Sequence, residues 1–138
     1  MNSALISQLI GYTCHPLTDD GSVVIIKTPL KFADGDDVPA YVEIGSDFVR
    51  FFDDGDVFFH FLGRGIPVDA EGGTEFLSTI AESNGVSYSG AGNIEIQSSP
   101  GDCSSAFAKY MATMLAFISW EKAWEVEFYD EIPVSAVK

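Results

Sequence analysis

The chain has 138 residues, with 7 basic against 21 acidic and a formal net charge of −14. That balance excludes an ordinary nucleic-acid binder and a protein docked on an anionic membrane, because both need Lys and Arg to meet phosphates. A hydrophobic content of 46% with 11 Phe also excludes disorder, and the length predicts one acidic globular domain over 1–138, with a tail from about 132.

Ser3 is placed to cap a short helix from Ala4 to Ile10, which Gly11 stops. The turn at Thr18–Gly21 leads into a β-rich run, Ser22 to Leu30. Its four consecutive β-branched residues, Val23 to Ile26, predict a strand covered on both faces. Asp34-Gly35 turns the chain toward a second strand, Ala40 to Ile44. Gly45 to Asp47 turns it into a third, Phe48 to Phe52, which ends at Asp53-Asp54-Gly55. Short sequential strands with brief connections predict an antiparallel meander. Asp56 to Leu62 is apolar, and its periodicity does not separate strand from helix. Thr74 predicts the N-cap of a helix carrying Phe76, Leu77, Ile80 and Ala81. Val86 to Tyr88 and Asn93 to Ile96 predict a small hairpin around residues 89–92, and a long helix follows from about Ser104 to Tyr129. The fold class expected is α+β: a mainly antiparallel sheet, meander plus small hairpin, with the long C-terminal helix packed on it.

The meander places the acids. Asp34, Asp36 and Asp37 in one connection and Asp53, Asp54 and Asp56 at the exit of the third strand fall at the same end of the sheet. Neighbouring strands lie about 4.8 Å apart, so these six carboxylates are expected to form one surface patch. A second patch is expected from Glu121, Glu125, Glu127, Asp130 and Glu131 at the end of the last helix. Asp-Gly pairs also form turns for conformational reasons alone. Six like charges in one place cost repulsion, however, and Asn or Ser would turn the chain as well, so the acids invite a functional account. Asp34 to Asp37 lacks the third acid and the following Gly of a calcium loop.

Little else points to catalysis. His15 and His60 are the two histidines, and Cys14 and His15, adjacent in an extended segment, point apart. His60, among Phe58, Phe59, Phe61 and Leu62, reads as a half-buried, satisfied side chain. Two Cys and two His without chelating spacing predict no zinc site, and the residues imply no cofactor and no assigned metal. Met1 to Ile10 has no basic n-region, so no secretory leader and two free thiols, Cys14 and Cys103, are expected in a cytoplasmic protein. In the final helix, apolar residues from Ala106 to Trp120 cover most of the circumference, so more than one side needs cover. Tyr110, Met111 and Met114 are the expected contact with a second copy, if the helix does not simply lie in the core.

The order Lys27-Thr28-Pro29-Leu30, Phe32-Ala33-Asp34-Gly35-Asp36, Tyr41-Val42-Glu43 and Phe52-Asp53-Asp54-Gly55 resembles a bacterial and prophage family, domain of unknown function 1828. That family shows T-P-F, D-G-D and then an aliphatic-T/S-D-D-G order before an apolar segment and helices. Leu30 stands here for the usual Phe, and Phe51-Phe52 for the aliphatic-Thr pair. The resemblance spans roughly residues 10 to 125 and implies no catalytic residue. Its association with mobile elements implies a role in phage–host conflict. Together with the charge, it predicts a non-catalytic acidic binding protein, a phage-encoded DNA mimic that inhibits a host defence or restriction complex. Its partner would be the basic surface of a nucleic-acid-binding complex, with no direct nucleic acid and no membrane. The alternatives are a divalent-metal-binding protein or small enzyme using the Asp34–Asp56 patch, and a structural or assembly domain.

Overall fold

A computed structural model describes residues 2–89 and 92–130, with backbone alone for 128–130. Helix α1 (Ser3–Ile10) is capped one residue earlier than its sequence predicts, because the Asn2 side chain accepts the Leu5 N–H at 3.0 Å. Strands β1 (Cys14–Pro16), β2 (Val23–Ile26), β3 (Tyr41–Ile44) and β4 (Val49–Phe52) follow. Helices α2 (Asp56–Gly63) and α3 (Glu75–Ser83), the hairpin β5 (Ser87–Tyr88) and β6 (Ile94–Ser98), and helix α4 (Cys103–Asp130) complete the chain. The sheet has six strands in the order β1-β2-β3-β4-β6-β5, and every pairing is antiparallel. This is the α+β fold expected. Strand β1, ending in a Pro at the sheet edge, is too short to show a periodic signal. The apolar run after Gly55 resolves as helix, and Thr74 makes no side-chain cap for α3.

Cross-strand register sorts the two faces. Val24, Val42 and Phe51 align across β2, β3 and β4 and are fully buried against α4, where Phe51 meets Phe107 at 5.3 Å. The opposite face is only partly covered. On it Arg50 donates to Glu43 at 3.0 Å and to Glu95 at 2.7 Å, and its guanidinium lies over the Phe52 ring. Strand β2 accordingly alternates, with Val24 and Ile26 buried and Val23 and Ile25 half-buried. Its β-branched run reflects strand propensity, and not cover on both sides.

Helix α4 is buried along one stripe, Cys103, Ala106, Phe107, Tyr110, Thr113, Met114, Phe117, Ile118 and Glu121, at the 3–4 residue spacing of a single helical face. The dimer contact expected at Tyr110, Met111 and Met114 is corrected by this geometry. Tyr110 and Met114 are fully buried inside the chain, and the Tyr110 hydroxyl donates to the Pro39 carbonyl at 2.7 Å. Met111 packs half-buried against the same core. Off the stripe, Trp120 and Trp124 pack partly buried against the same core, and Leu115 and Val126 face solvent. No helix of the described residues is long and apolar enough to cross a membrane.

Candidate functional site

The acidic end of the sheet is built from three pieces: the loop between β2 and β3, helix α2, and the last turns of α4. The loop folds back on itself as a small bridge, with Lys31 opposite Asp37 and an ion pair between their side chains. Inside it the Phe32 N–H donates to the Asp36 carbonyl at 2.8 Å, and Asp34 Oδ1 accepts the Asp36 N–H at 3.0 Å. Gly35 supplies the left-handed residue, φ 94°, that the tight reversal needs. The D-G-D order is therefore first a turn, and it presents Asp34 and Asp36 outward together.

Helix α2 begins at the second acidic motif. Asp54 (φ 57°) and Gly55 (φ 79°) are both left-handed and swing the chain back over Asp53. The Asp53 carboxylate, fully buried, then accepts the N–H groups of Gly55 at 3.1 Å, Val57 at 3.0 Å and Ile94 at 2.8 Å. It satisfies donors at the free start of α2 and ties that start to β6. Asp53 is thus no part of a surface patch. Burial pushes its carboxyl up to about 6, against the three N–H groups that favour the charged form. Asp54 is exposed, and Asp56 is half-buried with the Tyr41 hydroxyl donating to it at 3.0 Å. Burial raises the Asp56 carboxyl, and burial together with Asp56 pushes the Tyr41 phenol up to about 12.

Two polar rungs cross from the loop through α2 to α4. In the first, the His60 ring sits between Asp36 and Glu121, with Nδ1 3.3 Å from Asp36 Oδ2 and Nε2 2.5 Å from Glu121 Oε2. In the second, Arg64 Nη1 lies 3.7 Å from Asp34 Oδ2, and Nη2 donates to Glu125 Oε2 at 2.6 Å. Helical spacing makes the rungs: His60 and Arg64 are four residues apart, as are Glu121 and Glu125. Phe32 stacks on the imidazole, its ring centroid 3.7 Å away and nearly parallel, and helps shut it off from water. The His60 side chain is only 6% exposed and that of Glu121 is wholly buried. The other Glu121 oxygen accepts the Ala33 N–H at 2.7 Å, so both its oxygens are used. Burial works to raise the Asp34 carboxyl, but the Asp36 N–H, the His60 ring when protonated, and the Arg64 guanidinium outweigh it and hold it below the usual carboxylate range. Lys31 does the same for Asp37.

The expected patches are therefore redistributed. Asp36, Asp37 and Asp56 line one cleft of about 420 Å³ with Phe32, Phe59 and His60, while Asp34 faces Arg64 beside it. Glu121, assigned to a second surface patch, is instead the buried floor of the first. Glu125 reaches the same place through Arg64, and Glu127 is exposed. Asp130 carries no described side chain, and Glu131 lies outside the described residues. Sequence reading missed His60, Arg64 and Glu121 as one unit. The usable signal was a Glu on the buried stripe of α4, four residues from a second Glu, facing a His and Arg at the same spacing. Cys14 and Cys103 are free thiols.

A family model described as domain of unknown function DUF1828 matches residues 28–117, more than half of the chain, and the chain belongs to that family. The matched stretch holds Asp34, Asp36, Asp53, His60 and Arg64, whereas Glu121 and Glu125 lie beyond it. No curated protein and no solved structure matches.

Proposed function

We propose that the chain is a non-catalytic acidic binding protein whose partner is a basic protein surface of the kind that holds nucleic acid. The observation that carries this reading is the state of its few bases. Lys31, Arg50 and Arg64, three of the seven, are held by carboxylates of the same chain, and the exposed Lys27, Lys109 and Lys122 are far outnumbered by acids in a chain of net charge −14. Carboxylates spread over a rigid sheet end displace the counterions of a Lys/Arg-lined cleft as phosphates do. A phage-encoded inhibitor of a host defence or restriction complex is the finer form of the same proposal.

The test is a salt-dependent capture of partners from bacterial lysate, repeated with DNA as competitor. A partner released between low and high salt and excluded by DNA supports the decoy. The variant Asp36→Asn/Asp37→Asn/Asp54→Asn keeps the turns while removing three exposed charges, and it is expected to weaken binding at least tenfold. A partner that holds DNA and this protein together, with unchanged affinity for DNA, sinks the decoy reading.

A further inference from the structure

We propose that Asp34, Asp36 and His60 Nδ1 form a binding site for a divalent transition-metal cation, with Glu121 as its buried positioning residue. One ligand atom from each of the three side chains lies within 4.8 Å of the other two. A Zn²⁺-sized cation, with bonds of about 2.0–2.2 Å, would draw the three atoms closer together, which the two exposed aspartate side chains can follow. The acids alone would not carry the assignment; the imidazole does.

The His60 side chain is nine-tenths buried, yet its Nδ1 faces Asp36 at 3.3 Å, with Asp34 in the same cluster. Its Nε2 is held at 2.5 Å by Glu121, whose other oxygen is already committed to the Ala33 N–H. A carboxylate holding one ring nitrogen fixes the N–H there and leaves the lone pair of a neutral imidazole on Nδ1. That lone pair then faces carboxylate oxygens, and the nearest, on Asp36 at 3.3 Å, is long for a hydrogen bond. Acceptors converging on one point need a positive centre between them, either a second proton on the ring or a cation. A carboxylate–histidine–metal line is the arrangement that tunes histidine as a ligand in metal sites.

The surroundings suit an ion rather than a sealed structural site. Asp34 and Asp36 are exposed, and the cleft of about 420 Å³ opens beside them, so an ion held by three protein groups would keep open positions for water or a ligand. Phe32, stacked flat on the ring, prevents His60 from turning away. Arg64 would give up its 3.7 Å contact with Asp34 but keep Glu125. One imidazole with two carboxylates matches the borderline first-row cations better than Ca²⁺ or Mg²⁺, which prefer all-oxygen sets. Sequence spacing did not reveal this set, because the two Asp come from a loop and the His from a helix more than 20 residues later.

The experiment uses the whole chain, stripped with a chelator and titrated with Zn²⁺ and with Mn²⁺, each alone. Calorimetry is expected to show one site, and melting is expected to rise by about 5 °C or more at a hundredfold excess over Kd. Asp34→Asn/Asp36→Asn, which keeps the turn, is expected to lose both. Glu121→Gln is expected to weaken binding about 10–100-fold. In ¹⁵N spectra, Zn²⁺ should move the Nδ1 resonance of His60 and leave His15 unchanged. Absence of heat and of any melting shift in the folded wild-type chain overturns the proposal. So does binding that persists unchanged in the double Asn variant, as ligation by Cys14 and His15 would.

Discussion

Asp53 and Glu121 are both fully buried carboxylates, and the contrast between them separates architecture from chemistry in this protein. Asp53 spends both oxygens on three backbone N–H groups that lie within a few residues of it or on the neighbouring strand. Nothing is left over, and the site is closed. Glu121 spends one oxygen on the Ala33 N–H and the other on an imidazole whose far nitrogen reaches the rim of a cleft. Its polarity is handed on toward the surface. A buried charge needs partners in either case; only when a partner is itself titratable and faces outward does it acquire a use beyond stability.

The largest expected effect breaks the closed site. Asp53→Ala leaves three buried N–H groups without an acceptor and loosens the start of α2 from β6. A loss of about 3 kcal/mol or more is expected in urea unfolding at pH 7. Glu121→Gln should cost less, about 1–2 kcal/mol, because the amide oxygen still accepts from Ala33 and the imidazole can change tautomer to match the amide NH₂. Its signature is spectroscopic: the ring proton of His60 should move from Nε2 to Nδ1 in ¹⁵N shifts. Unchanged tautomers would show that Glu121 does not hold the ring.

The two sites also differ in their response to pH. The Asp53 carboxyl sits at about 6 in the fold against 3.8 as its ordinary value, so the folded state binds the proton more tightly than the unfolded chain. The stability this provides is fully present below about pH 4 and is lost as pH rises through about 6. Chemical unfolding across that window should show the decline, and Asp53→Asn should flatten it. The smallest effect tests the single buried stripe of α4. Leu115 is 50% exposed, so Leu115→Gln should change stability by no more than about 0.5 kcal/mol and leave the mass by light scattering unchanged.

Much of the fold was legible in the sequence because it is local. Gly35 and Gly55 mark reversals that need a left-handed residue, and the strands between them alternate around Val42 and Phe51. The hairpin of β5 and β6 and the long helix α4 follow from the same turn and periodicity signals. The errors also have local causes. A run of Val and Ile looks the same whether one or both faces are covered, and a three-residue edge strand has no period to read. The apolar circumference of α4 suggested a second copy, although exposed Leu and Val are ordinary on a helix whose other side is already filled.

The candidate site was legible only in part. Composition and turn chemistry alone set the charge of −14 and brought Asp34, Asp36 and Asp37 together in one loop. Which acids would face water was decided by tertiary structure. Asp53 and Asp54 are neighbours in one motif, yet a left-handed backbone at Asp54 turns one carboxylate inward onto the N–H groups of Gly55, Val57 and Ile94 and leaves the other outside. Glu121 lies 61 residues from His60 and 88 from Ala33, and those contacts exist because α4 crosses both the loop and α2. Turn and helix propensities act over a few residues and can be read along the chain. Burial and pairing of charge depend on what the folded chain packs alongside, which is set by contacts between residues far apart in sequence and cannot be read from neighbours along the chain.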